Sequence, residues 1–348
     1  MTDLGQALIQ RIHSKLQVDE QWTTRTERAF SWIAHRLEQV VSTSRPIRDG
    51  EFTLFMLSAE TAVVDSVGAP EPIVDRALSD LNRHSFGSCY SFSVVERRIY
   101  STSNTWIHEG TADWRTGLFD TYVIGQLCFA EAEADYLADK CQGQVALRAH
   151  PTFGYREQPD DMLNVVDDLI APKGQEPSRY RNAFEFEGVA EASRRSERVA
   201  TLGGSAEGIA LECSYDDYTA ISILNPTYGH RLLGAGLSSC IRLPMSISPE
   251  DGYRIAGMLN RREKSAGPIG GQGHLGAWCV DNAPTGGDVV TYRSFLPNLV
   301  YMNGLIMDTS MACVARMRWA DQTLNAKSSR ESAWARLTRR FALGSSEE

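Results

Sequence analysis

The sequence predicts an α+β fold of two similar units, each an antiparallel sheet packed with helices in the order α-β-β-β-α-β-β-α. Three observations predict it. Segments with helical apolar spacing and segments dense in β-branched and aromatic residues alternate in that order before residue 147, and do so again after residue 184. Both runs close on a long helix whose apolar and small residues recur at spacings of 4-3-4-3-4. The 348 residues suffice for two domains at roughly 150 residues each, and 42% hydrophobic with 23% charged residues is a globular balance. The expected divisions are an N-terminal helix over 1–20, a first unit over 21–147, a linker over 148–183, a second unit over 184–324 and a basic tail over 325–348.

Leu4, Leu8, Ile12 and Leu16 give the N-terminal helix one apolar face. The first unit opens at Thr24, where Thr24-x-x-Glu27 reads as a capping box. Phe30, Ile33, Leu37 and Val41 follow with helical spacing. Phe52–Ser58 and Thr61–Val67 read as two strands, rich in β-branched and large apolar residues. Proline is tolerated in a first helical turn, so the next helix starts at Pro70 and buries Ile73, Val74, Ala77, Leu78 and Leu81. Strands over Ser88–Val95 and Arg98–Ile107 lead to the closing helix, Thr116–Lys140.

The second unit begins near Phe184. Gly208–Tyr215, Tyr218–Leu224 and Leu232–Leu243 read as a three-stranded meander joined by Asp216-Asp217 and Asn225-Pro226 turns. Ser248-Pro249-Glu250-Asp251 is a strong helix start, with a capping serine, a proline in the first turn and carboxylates at the positive end of the dipole. Leu275–Val280 and Val289–Phe295 are the next strands, and Leu299–Leu324 is the closing helix. His84, Gly87 and Cys89 match His274, Gly276 and Cys279 in order.

The double order resembles the α/β fold of type III secretion chaperones and of the YbjN family. Leu232-Leu233-Gly234-Ala235-Gly236-Leu237, Leu275-Gly276-Ala277-Trp278-Cys279-Val280-Asp281 and Ser294-Phe295-Leu296-Pro297-Asn298 carry most of the resemblance, so the second unit matches better than the first. The resemblance implies a non-enzymatic protein that holds an extended polypeptide partner. It also implies that two units in one chain form a built-in pseudo-dimer, the protein being a monomer of that kind or a homodimer. No catalytic residue transfers, because the resemblance implies none.

Composition narrows the partners. Lys and Arg number 35 against 44 Asp and Glu, a formal charge of −9, so nothing draws the body to nucleic acid. The longest nearly apolar run, Leu54–Val64, is too short to span a bilayer and contains Glu60, so no stable membrane insertion is expected. Met1-Thr2-Asp3-Leu4 has no signal-peptide character, and seven scattered cysteines without a CxxC pair suit a reducing cytoplasm. Cys141, at a helix end, is the thiol expected to be exposed.

Motifs for chemistry are weak. Gly271-Gln272-Gly273-His274-Leu275-Gly276 satisfies G-x-G-x-x-G, but a helix precedes it and a strand follows, the reverse of a dinucleotide site. His108-Glu109 lacks the second histidine of a zinc helix, and Gly203-Gly204-Ser205-Ala206-Glu207 fails as a nucleophile elbow. No cofactor, metal or catalytic residue is therefore expected. Glu131, Asp135 and Asp139 share one helix face and read as a solvated stripe. Candidates for partner contact are the strand aromatics Trp106, Trp278, Tyr292 and Phe295, together with Trp334 and Phe341 of the tail. The tail carries Lys327, Arg330, Arg336, Arg339 and Arg340 and has Trp334, Leu337 and Phe341 at helical spacing. Two alternatives stand beside the binding module: an enzyme with its site assembled between the units, and an adaptor that docks through this basic helix.

Overall fold

The computed structural model describes residues 3–85, 87–164, 176–196, 198–205, 207–214, 219–231, 233–243, 248–265, 275–282 and 288–325. The fold over these residues is α+β, with two antiparallel sheets and six α-helices.

The first sheet follows the opening helix α1 (Leu4–Leu16), which Asp3 and Gln6 cap reciprocally. Its strands are β1 (Thr23–Arg25), β2 (Ala29–Ile33), β3 (Glu38–Thr43), β4 (Ile47–Asp49), β5 (Phe52–Asp65), β6 (Cys89–Ser93), β7 (Arg98–Ile107) and β8 (Gln144–Val145). Helix α2 (Glu71–Asn82) lies between β5 and β6, and α3 (Ala112–Lys140) follows β7. The order across the sheet is β1-β2-β3-β5-β7-β6, and β4 and β8 each pair with β5. Apolar residues of α1 and α3, among them Ile12, Leu16, Val123 and Leu127, share one core with Phe30, Trp32, Val41 and Leu57 of the sheet.

Residues 24–41 correct the sequence reading: they form strands, not a helix. Phe30 and Trp32 are buried while Ser31 between them is not, a period of two that the apparent helical spacing concealed. The turn between β2 and β3 is held by Glu131, whose Oε1 accepts from the Arg36 and Leu37 N–H groups at 2.9 and 2.8 Å. Thr24 accordingly sits in β1, with its hydroxyl 2.7 Å from that of Ser31, and caps nothing. The two strands expected over 52–67 are one strand, β5, with a register shift between Ala62 and Val64.

The second sheet comprises β9 (Val199–Ser205), β10 (Gly208–Ser214), β11 (Thr219–Asn225), β12 (Gly236–Arg242), β13 (Ala277–Asn282) and β14 (Asp288–Pro297). Its helices are α4 (Ala183–Arg194), α5 (Pro249–Lys264) and α6 (Leu305–Asn325). The order across it is β9-β10-β11-β12-β14-β13. Ser248 caps α5 as its sequence foretells, accepting from the Asp251 N–H at 3.2 Å. The connecting segment folds onto both sheets: the Asp160 N–H reaches Ala34 O at 2.7 Å, and the Ser178 hydroxyl donates to Gly236 O at 2.7 Å. Residues 165–175 of the expected linker lie outside the described residues.

The sheets meet along β6, β13, α2 and α5: α2 packs on α5 and β13, while α5 packs on β6. Buried strand edges need partners for their main-chain groups. Side chains supply them. Asn82 Nδ2 donates to Tyr90 O at 3.0 Å, and Asn82 Oδ1 accepts from the Tyr90 N–H at 2.8 Å. Asn260 makes the same pair of bonds with Trp278, at 2.9 and 2.8 Å. Across the junction, the Val280 N–H donates to Ser79 Oγ at 2.8 Å, and Arg83 donates from Nε and Nη2 to Val280 O at 3.0 and 2.8 Å. Replacing Asn82 or Asn260 by alanine strands one buried N–H and one buried C=O. Each change should cost about 2–4 kcal/mol, read as a lower midpoint of the first urea unfolding transition.

Candidate functional site

Helix α4 lies over β9 and β10, α6 lies over β11 and β12, and the two helices touch. Between them is a groove of about 320 Å³ lined by Val189, Ala192, Leu211, Met307, Met311 and Val314, with Ser193, Ser196, Ser310 and Arg318 among its polar groups. The sequence builds it by giving α6 two apolar stripes. One, through Ile306, Cys313, Met317, Ala320 and Leu324, is buried in the core. The other, Met307, Met311 and Val314 at spacings of four and three, faces the groove. Met307 Cε lies beside Gly188 of α4, with ordinary van der Waals room for a Cβ there. Met311 is 63% exposed and Phe184, at the start of α4, is 83% exposed. Met307 and Val314 also pack against the edge of the core, which leaves Met311 as the exposed member of this stripe.

Strand β9 runs beside this groove and is the outer strand of its sheet among the described residues. Its hydrogen-bonded neighbour is β10 alone, and Leu202, Gly203, Gly204 and Ser205 are exposed along it. The Thr201 hydroxyl lies 2.5 Å from that of Ser193 and ties β9 to α4. An outer strand beside an apolar groove offers both main-chain pairing and side-chain pockets.

The aromatic residues expected to contact a partner occupy the core instead. Trp106, Trp278, Tyr292 and Phe295 are all buried. Trp278 and Tyr292 come together edge to face, 5.4 Å between centroids, and Phe295 shares their core cluster, its carbonyl accepting from the Tyr122 hydroxyl at 2.9 Å, while the Trp106 carbonyl accepts from Arg115 Nη1 at 2.7 Å. Strand aromatics mark a sheet's inward face as readily as a groove, and here burial decides. Trp334 and Phe341 lie outside the described residues, as do 271–274 of the glycine-rich motif. The groove residues were missed because methionine on a closing helix reads as core; the signal available was the second stripe.

Ionisable groups converge within the second half and, at Arg115 and Asp308, across to the first, but in closed pairs. Arg316 Nε donates to Glu263 Oε1 at 2.6 Å, both side chains being about 95% buried or more, and Trp278 Nε1 donates to Glu263 Oε2 at 2.9 Å. The Arg316 guanidinium covers the Tyr292 ring at 4.2 Å, and Arg115 pairs with Asp308 at 3.0 Å. The cavity at this point measures about 30 Å³, far below the few hundred Å³ of an ordinary ligand pocket. The acidic stripe of α3 is engaged as well: Glu131 and Asp135 both accept from Arg36. Among the described residues no three His, Cys, Asp or Glu side chains form a metal-binding cluster.

Cys141, expected to be exposed, is fully buried, because the chain after α3 turns back to pair β8 with β5. Burial pushes its thiol up to about 11, the Cys213 thiol to about 11 and the Cys279 thiol to about 12. No disulfide links any of the seven cysteines, and Cys128 and Cys240 are half-buried while the other five are buried. A thiol reagent at pH 8 should therefore modify no more than those two in the native protein and all seven in denaturant.

Comparison with protein-family models, with curated proteins and with solved structures found no match.

Proposed function

We propose that this chain is a non-enzymatic, chaperone-like module that holds an extended segment of a polypeptide partner, its two halves acting as a pseudo-dimer. The observation that carries the proposal is the open methionine-lined groove between α4 and α6 with the outer strand β9 beside it. Strand addition supplies sequence-independent affinity and alternate side chains enter the pocket. Methionine, flexible and polarizable, suits a surface that accepts more than one sequence.

Four features support the tandem reading. The strands of each half follow one another across the sheet in the same order, with β1, β2, β3, β5, β7 and β6 corresponding to β9, β10, β11, β12, β14 and β13. Each half also has an opening helix, a middle helix and a closing helix at the same places in that order, which supports the resemblance to type III secretion chaperones and YbjN-like proteins. The asparagine clamps fall at corresponding positions, and the packing is reciprocal, α2 on β13 and α5 on β6, as in a two-fold pair. On this register Tyr90 corresponds to Trp278, so Cys89 faces the place of Ala277, and the matched cysteines of the sequence reading are displaced by two residues.

The halves differ where binding is proposed. In the first half α1 packs on β2, β3 and β5 and buries Leu8, Ile9, Ile12 and Leu16. In the second, α4 packs chiefly on β9 and leaves the groove beside it. One groove thus serves two units.

Met311→Lys tests the proposal, because position 311 is exposed and the change should leave stability within about 0.5 kcal/mol while placing a charge in the groove. Tagged wild type, Met311→Lys and a chain ending at Asn325 are isolated from native cells and the bound polypeptides identified. A segment retained by wild type and by the shortened chain, and reduced about tenfold or more by Met311→Lys, is the expected result. Loss in the shortened chain alone favours the adaptor. A retained small molecule with no polypeptide favours an enzyme.

A further inference from the structure

Helices α2 and α5 meet at Gly257, where a Cβ would overlap the Asp75 carboxyl group. The glycine therefore makes room for Asp75, whose side chain is 1% exposed. Asp75 Oδ1 accepts from Arg261 Nη1 at 3.1 Å, while Oδ2 is buried without a hydrogen-bond partner. Arg261 is itself shared, donating from Nη2 to Glu71 Oε1 at 2.9 Å. The crevice around the carboxyl is lined by Leu78, Ser91, Phe92, Ala256 and Trp278, among others, and has no room for a water molecule.

The charged and titratable groups that face Asp75 are few. Helix α2 contributes Glu71, and α5 contributes Arg261 and Arg254. Strand β6 contributes Tyr90, whose hydroxyl burial holds far above its ordinary value, and β13 contributes the neutral Trp278. One arginine divided between two carboxylates does not compensate a sealed anion with a bare oxygen.

We propose that Asp75 takes up a proton when the two halves are packed together and releases it when they part, so that acidification tightens the α2–α5 contact. Burial pushes the carboxyl from 3.8 up to about 6, with Arg261 opposing the shift and Glu71 adding to it. The sign follows from the raised value. Packed Asp75 is ionised above pH 6 at the cost of burying the charge. Below that it protonates while the parted form stays ionised to about 3.8, so closure gains with each step of falling pH between the two values. This is the reverse of a stabilising ion pair, which acid would break.

Exchange of the Val280 amide reports the junction, since Ser79 across it accepts that N–H. Corrected for intrinsic rate, protection in the full-length protein should rise about tenfold between pH 7.5 and pH 5. Asp75→Asn, which keeps the shape and removes the charge, should be the better protected protein at pH 7.5 and lose most of this pH dependence. Glu71→Gln, at a half-exposed position, frees Arg261 for Asp75 and should move the transition to lower pH. The proposal is overturned if Asp75→Asn is less protected than wild type at pH 7.5 and wild-type protection falls on acidification. It is equally overturned if the difference between the two proteins does not change with pH.

Discussion

The molecule depends on how two strand edges are closed where its halves meet. Strands β6 and β13 end their sheets at a buried junction, and a buried edge cannot leave its N–H and C=O groups to water. Asn82 and Asn260 solve this from within each half by mimicking one peptide unit against Tyr90 and Trp278. Ser79 and Arg83 then reach across to Val280, so the edge of β13 is completed by the other half of the chain. The halves are joined by main-chain satisfaction as well as by apolar contact, and that fixes their register. The inner edges are thereby unavailable for further pairing, which leaves β1 of the first sheet and β9 of the second as the outer strands among the described residues, and of these β9 is the one beside the groove.

The junction is near-symmetric in plan and asymmetric in chemistry. Counting from the two clamps, Ser79 on α2 occupies the place that Gly257 occupies on α5, and Arg83 that of Arg261. Ser79 and Arg83 cap Val280, whereas Gly257 is vacated for Asp75 and Arg261 turns to Asp75 and Glu71. One side of the junction is closed by hydrogen bonds from a serine hydroxyl and an arginine to one strand residue, and the other by a buried carboxyl. The same divergence separates α1 from α4: one seals its sheet and the other leaves a groove.

Much of this architecture is legible in the residues. The capping serine of α5, the proline start of α2 and the long closing helices α3 and α6 stand close to where spacing and capping place them. What failed did so for physical reasons. Phe30, Ile33, Leu37 and Val41 mimic a helix because two strands and a four-residue turn sum to the same spacing, and Trp32 was the residue that breaks it. Strand β9 escaped notice because Gly203 and Gly204 weaken its strand signal, although an exposed outer strand tolerates glycine. The clamps were invisible because Asn82 and Tyr90 are 8 residues apart while Asn260 and Trp278 are 18 apart. The groove was hidden by composition, since methionine carries no sign of which side of a helix faces water.

The central claim is that an extended polypeptide lies along β9 and in the α4–α6 groove. The most direct measurement places a photo-reactive side chain at position 311 in the groove, at 202 on β9, and at 95 on the β6–β7 turn, where Val95 is fully accessible. Irradiation in the native cell should yield the same polypeptide adduct from positions 311 and 202 and none from 95. Adducts that favour position 95, or none from 311 and 202 while the protein is folded, would contradict the account.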